Sequence, residues 1–367
     1  YNGTLTGPDL GNGSHTSLGG DDVLLFGWDS SEGYWSFSIG GTEDDGCEQV
    51  GWIGADSFVV AGYFRGTITL GDETLSSEGA ADAFGALYNR TSGQWEETVS
   101  IGTTADDLFN AFTRKTDGAF AFVGSSRAGN FTASNPSISG APDCTPTPPW
   151  GAVYCAFVIS TSSTLEPVKM FAIRALGNAD GMDIIEQGST GKLLMVGYFD
   201  GQLMHVENLS SAGSDDIFIA RLNANLGVEY LTTFGGSGLD RAYDIDAIST
   251  GYLISGMVKA SNATPAGVAY TCTTTCQSNP SLYWQATSGS GESDTLLMKT
   301  SPNGVIEDGF TFGTPKIDLT YASAVDSSGI IHLAGLIGDV MPNPASQGSV
   351  GVPNEYSAYY AKVNFTT

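Results

Sequence analysis

The sequence predicts an all-β protein, a β-propeller of about five to six four-stranded blades that carries two disulfide-bearing loop insertions. Three observations lead to this prediction: a long internal repeat, four short strand-like segments in each copy, and a composition rich in turn residues. Glycine accounts for 49 of the 367 residues, about twice its usual share. No segment between the strands shows sustained helical periodicity.

An acidic turn marks each copy of the repeat. Its five occurrences read SIGGTEDD (38–45), SIGTTADD (100–107), RALGNADG (174–181), TTFGGSGLD (232–240) and FTFGTPKID (310–318). One glycine of each turn serves as a marker, and successive markers are 61, 75, 59 and 77 residues apart, so the basic period is about 60 residues. The markers are Gly41, Gly102, Gly177, Gly236 and Gly313. The two long copies contain insertions at about 127–150 and 259–292. Loops on a repeat scaffold lengthen in this way without disturbing the core.

Four strands follow one another in each copy. After the acidic turn come an apolar strand, a glycine turn and a second strand that ends near glycine, as in GKLLMVGYFDG at 191–201. A strand led by aspartate, such as DDIFIARL at 215–222, and an aromatic strand complete the copy. Four antiparallel strands per repeat describe a propeller blade, which is apolar on both faces because it contacts two neighbours.

The two ends of the chain hold partial copies, because the Asp-led strand occurs six times and the acidic turn five times. The ring therefore has either five blades with a spare terminal hairpin or six blades with incomplete ends. We expect one domain over residues 1–367 in which the terminal strands share a blade and close the ring. In the alternative, a spare strand pairs with another subunit.

The segment at 215–256, DDIFIARLNANLGVEYLTTFGGSGLDRAYDIDAISTGYLISG, resembles the SBBP-type β-propeller repeat of microbial extracellular and surface proteins. Copies at 82–126 and 151–201 match more loosely, and the resemblance covers most of residues 21–363. The departures are ALGNAD in place of the Gly-Gly turn and the cysteine-bearing insertions. The resemblance implies a propeller fold and an extracellular location, and it brings no catalytic motif with it.

The charge balance excludes several classes of partner. Lysine and arginine number 14 against 40 acidic residues, a formal net charge of −26. Such a chain cannot neutralise a row of phosphates, which excludes nucleic acid, and it is repelled by an anionic membrane surface. No apolar run reaches the ~18 residues that a membrane span needs. No leader peptide opens the chain, and Tyr1 is expected to begin a processed protein.

Glycosylation sequons indicate a secreted glycoprotein located outside the cell or at its surface. Seven N-x-[ST] sequons exceed the number expected by chance from the composition, although a chain rich in serine and threonine also produces sequons freely. The predicted N-glycosylation sites are Asn2, Asn12, Asn89, Asn130, Asn208, Asn262 and Asn364.

Cysteine spacing agrees with an oxidising compartment. Cys144 and Cys155 bracket the Pro-rich stretch TPTPPWGAVY, and Cys272 and Cys276 bracket TTT in the second insertion, so local disulfides are expected to staple both loops. Zinc binding is the rival interpretation of CTTTC, but no second cysteine or histidine pair lies nearby. The remaining Cys47 is either a buried free thiol or half of an intermolecular bridge.

No catalytic constellation is apparent, so we expect no enzyme activity. The three histidines are scattered, and neither GxSxG nor a nucleotide-binding glycine motif occurs. Carboxylates recur at the acidic turns. Three roles are open for them: they cap the turns, they bind Ca²⁺, or they perform glycosidic acid/base chemistry. We expect no other cofactor. These carboxylates are Asp44, Asp45, Asp106, Asp107, Asp180, Asp183, Asp240, Asp244, Asp246 and Asp318.

Tryptophans are the other candidate contact residues. Trp35 and Trp95 occupy equivalent strand positions, which favours core packing. Trp150 and Trp284 lie in the insertions and are better candidates for contact with a partner or glycan.

Together these features predict a secreted glycoprotein propeller with a structural, self-assembling or adhesive role, as a subunit of an extracellular filament, sheath or surface layer. Its expected partners are further copies of itself, other extracellular proteins, or glycans. The alternative is a propeller that binds or cleaves carbohydrate at the ring mouth, where turns converge.

Overall fold

The computed structural model describes residues 1–7, 10, 13–30, 33–127, 154–204, 209–259, 270–271, 292–314, 316–339, 341–343, 348–350 and 355–363. Within these residues the chain forms antiparallel β-strands and no α-helix, which confirms the all-β class. None of them forms a helix that could span a membrane. The chain divides into two compact units, Tyr1–Ala172 and Ile173–Thr367.

The first unit contains four sheets. Its strands are β1 (Thr4–Thr6), β2 (Ser14–Thr16), β3 (Val23–Asp29), β4 (Gly33–Ile39), β5 (Gly46–Trp52), β6 (Ser57–Leu70), β7 (Glu73–Asn89), β8 (Gln94–Ile101), β9 (Asp107–Arg114), β10 (Phe120–Ser126), β11 (Cys155–Thr161) and β12 (Pro167–Ile173). A small β1–β2 hairpin precedes the first sheet, β3–β4. The second sheet (β5–β8) and the third (β9–β12) are four-stranded meanders.

The second unit repeats this plan. Its strands are β13 (Ala179–Glu186), β14 (Leu193–Phe199), β15 (Asp216–Leu222), β16 (Val228–Phe234), β17 (Asp240–Ile248), β18 (Gly251–Lys259), β19 (Tyr270–Thr271), β20 (Ser293–Thr300), β21 (Ile306–Phe312), β22 (Leu319–Val325), β23 (Ile331–Ile337), β24 (Met341–Asn343), β25 (Gly348–Val350) and β26 (Ser357–Val363). The fourth sheet is β13–β16 with β19 at its edge, the fifth is β17-β18-β20-β21, and the sixth is β22-β23-β26. The predicted organisation into mostly four-stranded antiparallel sheets is confirmed.

The terminal strands lie in separate sheets. Among the described residues, β1 pairs only with β2, β3 pairs only with β4, and β26 pairs with β23. A sheet shared by both ends is therefore not formed by these residues, and closure of the chain into one ring stays a prediction.

A glycine and a β-bulge recur in every repeat that begins with an acidic turn. The first strand is bulged beside a glycine of the second strand, as where Asn110 is the extra residue next to Gly124. A Cβ on Gly124 would lie 1.7 Å from the Leu108 carbonyl oxygen, so only glycine fits. At the equivalent glycines, an added Cβ would lie 1.9 to 2.1 Å from a carbonyl oxygen of the first strand. These glycines are Gly62, Gly197, Gly256 and Gly335.

Each inner sheet is apolar on both faces, as a stacked sheet requires. The face of a sheet that contacts the preceding sheet is called here its backward face, and the opposite one its forward face. On β6, Phe58 and Val60 contact Val23 of the first sheet. The alternate residues Val59 and Ala61 face the third sheet, where their partners include Phe122 of β10. This pairing of a forward with a backward face recurs between the fourth, fifth and sixth sheets.

Candidate functional site

The carboxylates of the acidic turns cap those turns. Asp107 accepts hydrogen bonds from the Thr103 N–H at 2.6 Å and the Thr103 hydroxyl at 2.8 Å. Asp45 accepts from the Gly41 N–H at 2.6 Å, and its other oxygen accepts from the Arg65 N–H at 3.1 Å. Asp240 and Asp318 hold the same positions in later repeats. The turn-capping interpretation is confirmed for these four carboxylates.

A second aspartate lies beside the capping aspartate in each of the four repeats that have one. Asp82, within β7, accepts the N–H of Glu78, and burial raises its pKa to about 7. Burial also raises the pKa of the neighbouring Asp107 to about 6. The Asp82 carboxyl lies on Gly102, where a Cβ would be 2.0 Å from it. Sequence reasoning noted the Asp-led strands but missed this pairing, although both aspartates recur once per repeat.

Three predicted acidic residues depart from that arrangement. Ala179 occupies the capping position in the third repeat, as its pairing with Phe199 shows, so neither Asp180 nor Asp183 caps this turn. Asp44 accepts the Asp21 N–H at 2.9 Å.

Asp106 is the most strongly ion-paired of the predicted carboxylates. It contacts Arg65 at 2.8 Å and Arg127 at 3.3 Å. Hydrogen bonds and the Arg65 charge outweigh its burial and lower its pKa.

Asp183, Asp244 and Asp246 form one carboxylate cluster on the first strands of the fourth and fifth sheets. The charges of Asp183 and Asp244 repel each other, and the Ser323 hydroxyl donates to Asp246 at 2.7 Å. Burial raises the pKa of Asp183 well above its usual value, and the Asp244 charge adds to this rise. Burial likewise raises the pKa of Asp244 to about 6.

The geometry of this cluster does not match glycosidic chemistry or a metal site. Glycosidase carboxyl groups bracket a sugar that must reach them, whereas Asp183 is buried and accepts the N–H groups of Ile184 and Ile245. No group of three or more possible metal ligands occurs in the part of the chain that the structure describes.

Two members of the cluster accept a hydrogen bond that recurs between neighbouring sheets. Its acceptor is always the side chain that follows the bulge. Gln49 accepts the Phe112 N–H at 2.6 Å in the first unit, and Asp183 accepts the Ile245 N–H at 2.8 Å in the second. Asp244 then accepts from Ser323 of the sixth sheet at 2.9 Å. These acceptors satisfy backbone donors that inter-sheet contact would otherwise bury unpaired.

An open cleft of about 690 Å³ lies in the second unit among the hairpin turns of the fourth and fifth sheets. Its two cations share one carboxylate, because Lys192 and Arg221 contact Glu229 at 2.9 and 3.0 Å. Arg221 also donates to Asn303 at 3.1 Å. The lining aromatic residue, Tyr252, is buried and offers no ring face for stacking on a sugar.

Among the described residues, two sheet faces carry exposed aromatic side chains. On the backward face of the first sheet, Phe26 is 66% exposed, Trp28 65% and Tyr34 48%. On the forward face of the sixth sheet, Tyr360 is 61% exposed. Sequence reasoning included Trp28 among the candidate contact tryptophans but did not single out Phe26, Tyr34 or Tyr360, because strand assignment alone does not tell which face of a sheet stays exposed.

The predicted core tryptophans behave as expected. Trp35 stacks on Phe58 with ring centroids 5.8 Å apart, and Trp95 meets Tyr88 edge-on at 5.0 Å. Trp150 and Trp284 lie outside the described residues.

Two of the predicted glycosylation sites are described. Asn2 is exposed. The Asn89 side chain accepts the Thr91 N–H at 2.9 Å and donates to Glu96 at 2.7 Å. Glycan attachment stays a prediction at both. The remaining sites lie outside the described residues: Asn12, Asn130, Asn208, Asn262 and Asn364.

Two cysteines are described as well. Cys155 is buried at the start of β11, whereas its predicted partner Cys144 and the pair Cys272 and Cys276 lie outside the described residues. The two disulfides therefore stay predictions. Cys47 is a free thiol, and burial raises its pKa to about 12. Such a thiol is unreactive at neutral pH, which favours the free-thiol interpretation over an intermolecular bridge.

Comparisons with known proteins add no assignment. The chain matches no protein-family model and no curated protein.

Proposed function

We propose that this chain is a secreted glycoprotein of β-propeller type with a structural role, and that it self-assembles as a subunit of an extracellular filament, sheath or surface layer. The observation that carries the proposal is the pair of uncovered end faces. A stack of sheets that are apolar on both faces needs polar outer faces at its ends, closure, or a partner. The exposed residues Phe26, Trp28 and Tyr360 are not a polar cap.

The chemistry of the described polar groups supports the same proposal. The recurring aspartates cap turns, and the carboxylate cluster joins neighbouring sheets. Each of these side chains accepts hydrogen bonds from within the fold, so a non-catalytic role fits the arrangement better than a hydrolytic one.

Negative-stain electron microscopy and light scattering of natively secreted material test the proposal. We expect filaments, sheets or another large assembly of defined geometry, together with glycopeptides at the predicted sequons. Monodisperse single chains over the whole accessible concentration range would contradict it.

The open cleft of the second unit favours one alternative, a carbohydrate-binding role, because polar groups of several turns converge there. A screen of soluble polysaccharides tests it by affinity electrophoresis. Retardation that the Arg221→Ala variant abolishes would support this alternative, and an unretarded wild-type chain would remove it.

A further inference from the structure

We propose that the backward face of the first sheet docks onto the forward face of the sixth sheet of a second copy, in a head-to-tail contact that repeats along an assembly. The inference rests on the proposed self-assembly and names its interface. The partner is thus a second copy of this chain, and each copy uses two different surfaces.

The internal junctions of the chain supply the template for this contact. Between the second and third sheets, a forward face with small residues receives aromatic rings from a backward face. A Cβ on Gly85 would lie 2.7 Å from the Phe122 ring, so the ring occupies the space that glycine leaves. Ala61 and Ala83 belong to the same cluster. A forward face of this repeat is therefore shaped to receive aromatic side chains.

The uncovered backward face presents such side chains. Trp28 pairs with Tyr34 across β3 and β4, and Phe26 pairs with Ser36, so all four point to the same side of the sheet. The preceding hairpin covers only one part of this face, where His15 contacts the Ser36 hydroxyl at 2.7 Å. The three aromatic rings beyond it remain exposed.

The uncovered forward face presents small residues. Pairing within the sixth sheet places four exposed alanines on this face, beside Tyr360 and Lys362. By register, Tyr360 takes the position of Gly85, because each pairs with the residue just before the bulge glycine. A partner ring therefore has to pack over the alanines around Tyr360 rather than at that position. The alanines are Ala322, Ala324, Ala334 and Ala358.

Charge favours contact between these two faces. The chain carries 40 acidic residues. None of the described strand residues that point to either of these two faces is acidic. The nearest acidic residue on the sixth sheet, Asp326, is paired with His332 at 3.1 Å. Lys362 is exposed on the forward face, where it can meet an aromatic ring of the partner in a cation–π contact. Two copies can therefore approach here without the repulsion that the net charge imposes elsewhere.

The size of the contact predicts weak, concentration-dependent association. Large aromatic side chains bury about 150–250 Å² each. At the exposures of Phe26, Trp28 and Tyr34, roughly 350 Å² of their surface remains to be covered. This is less than the ~800 Å² per partner of a standard stable interface. Because the contact joins two different surfaces, it does not close on itself in a dimer and instead propagates into an open chain.

Two complementary variants test the geometry. Trp28→Asp blocks the backward end face, and Ala358→Asp blocks the forward end face. Val168→Asp, at an exposed apolar position of β12 outside both faces, is the matched control. Circular dichroism and thermal melting verify that each variant folds, and sedimentation velocity gives the size distribution.

At a concentration where the wild-type chain forms long assemblies, we expect each blocked variant to remain monomeric, with an average mass at least tenfold lower. The control should assemble like the wild type. An equimolar mixture of the two blocked variants should form dimers and nothing larger, because one intact face of each kind is left.

Each other outcome overturns the proposal. Assembly of the blocked variants like the wild type would place the interface elsewhere while leaving the proposed function intact. Monomers in the mixture would mean that the contact is not head-to-tail. A wild-type chain that never assembles would remove the proposed function together with this interface.

Discussion

Acidification from pH 7.5 to 4.5 should stabilise this protein, and Asp107 should account for a measurable part of the effect. The Asp107 side chain is fully buried beside Asp82. Its burial raises the pKa to about 6 from an ordinary value of 3.8. The folded state therefore binds this proton more tightly than the unfolded chain does. The resulting stabilisation is complete below about pH 4 and is lost as the pH rises through 6.

The magnitude follows from the two pKa values. A separation of about two pH units corresponds to about 3 kcal/mol when the stabilisation is complete, at about 1.4 kcal/mol per unit. Part of this is already lost at pH 4.5, so about 2 kcal/mol separates pH 4.5 from pH 7.5 for this one group. Because no part of the side chain is exposed, solvent screening does not reduce the figure.

Urea unfolding at four pH values and constant ionic strength, followed by tryptophan fluorescence, measures the effect. Acid also lessens the general repulsion of a chain with a net charge of −26, so a charge-matched control is needed. Asp107→Asn keeps the acceptor for Thr103 but cannot titrate, whereas Asp117→Asn removes one charge from an exposed turn. We expect the pH dependence to shrink by about 2 kcal/mol only in Asp107→Asn. Equal pH profiles for both variants, or a wild-type chain weakened by acid, would refute the reasoning.

Two further predictions concern the bulge and the inter-sheet hydrogen bond. Gly124→Ala should destabilise the fold by about 3 kcal/mol or more, because the new Cβ would lie 1.7 Å from a backbone carbonyl oxygen. Gly54 has open space around it, so the control Gly54→Ala should have little effect on the melting temperature. Gln49→Ala should cost about 1–3 kcal/mol in urea unfolding, because it leaves the Phe112 N–H without its acceptor, while Gln94→Ala on the surface should cost far less. Unchanged stability of Gln49→Ala would show that the inter-sheet bond contributes nothing.

Much of the fold could be predicted from the sequence because the repeat encodes it redundantly. In β6 and β14 the apolar run that ends in Gly-Tyr-Phe predicts a strand that is buried on both faces, and each run contains the same glycine. The reason for that glycine could not be predicted. It lies in the bulge of the neighbouring strand, and a bulge is a property of two paired strands rather than of one segment.

The candidate sites were harder to predict, since their meaning depends on contacts between distant residues. Asp183 and Asp244 were grouped with the turn-capping aspartates because their spacing from the acidic turn is similar. Their actual partners are backbone N–H groups of the next sheet, 62 and 79 residues away in sequence. The two roles differ in whether the N–H donor belongs to the same repeat or to the next sheet, and a single sequence does not report which side of a strand meets another sheet.

The same limitation explains why the end faces were missed and why they matter. Phe26 and Trp28 follow the same alternation as Ala86 and Tyr88 one repeat later, so the sequence describes them as ordinary inner-face residues. Only their place in the first sheet leaves them exposed. Natural end repeats usually replace such residues by polar ones. The chain is otherwise acidic, yet it keeps these aromatic residues. Ring closure and assembly would both bury Trp28. The mixture of blocked variants separates the two, because a ring closed within one chain would form no dimers.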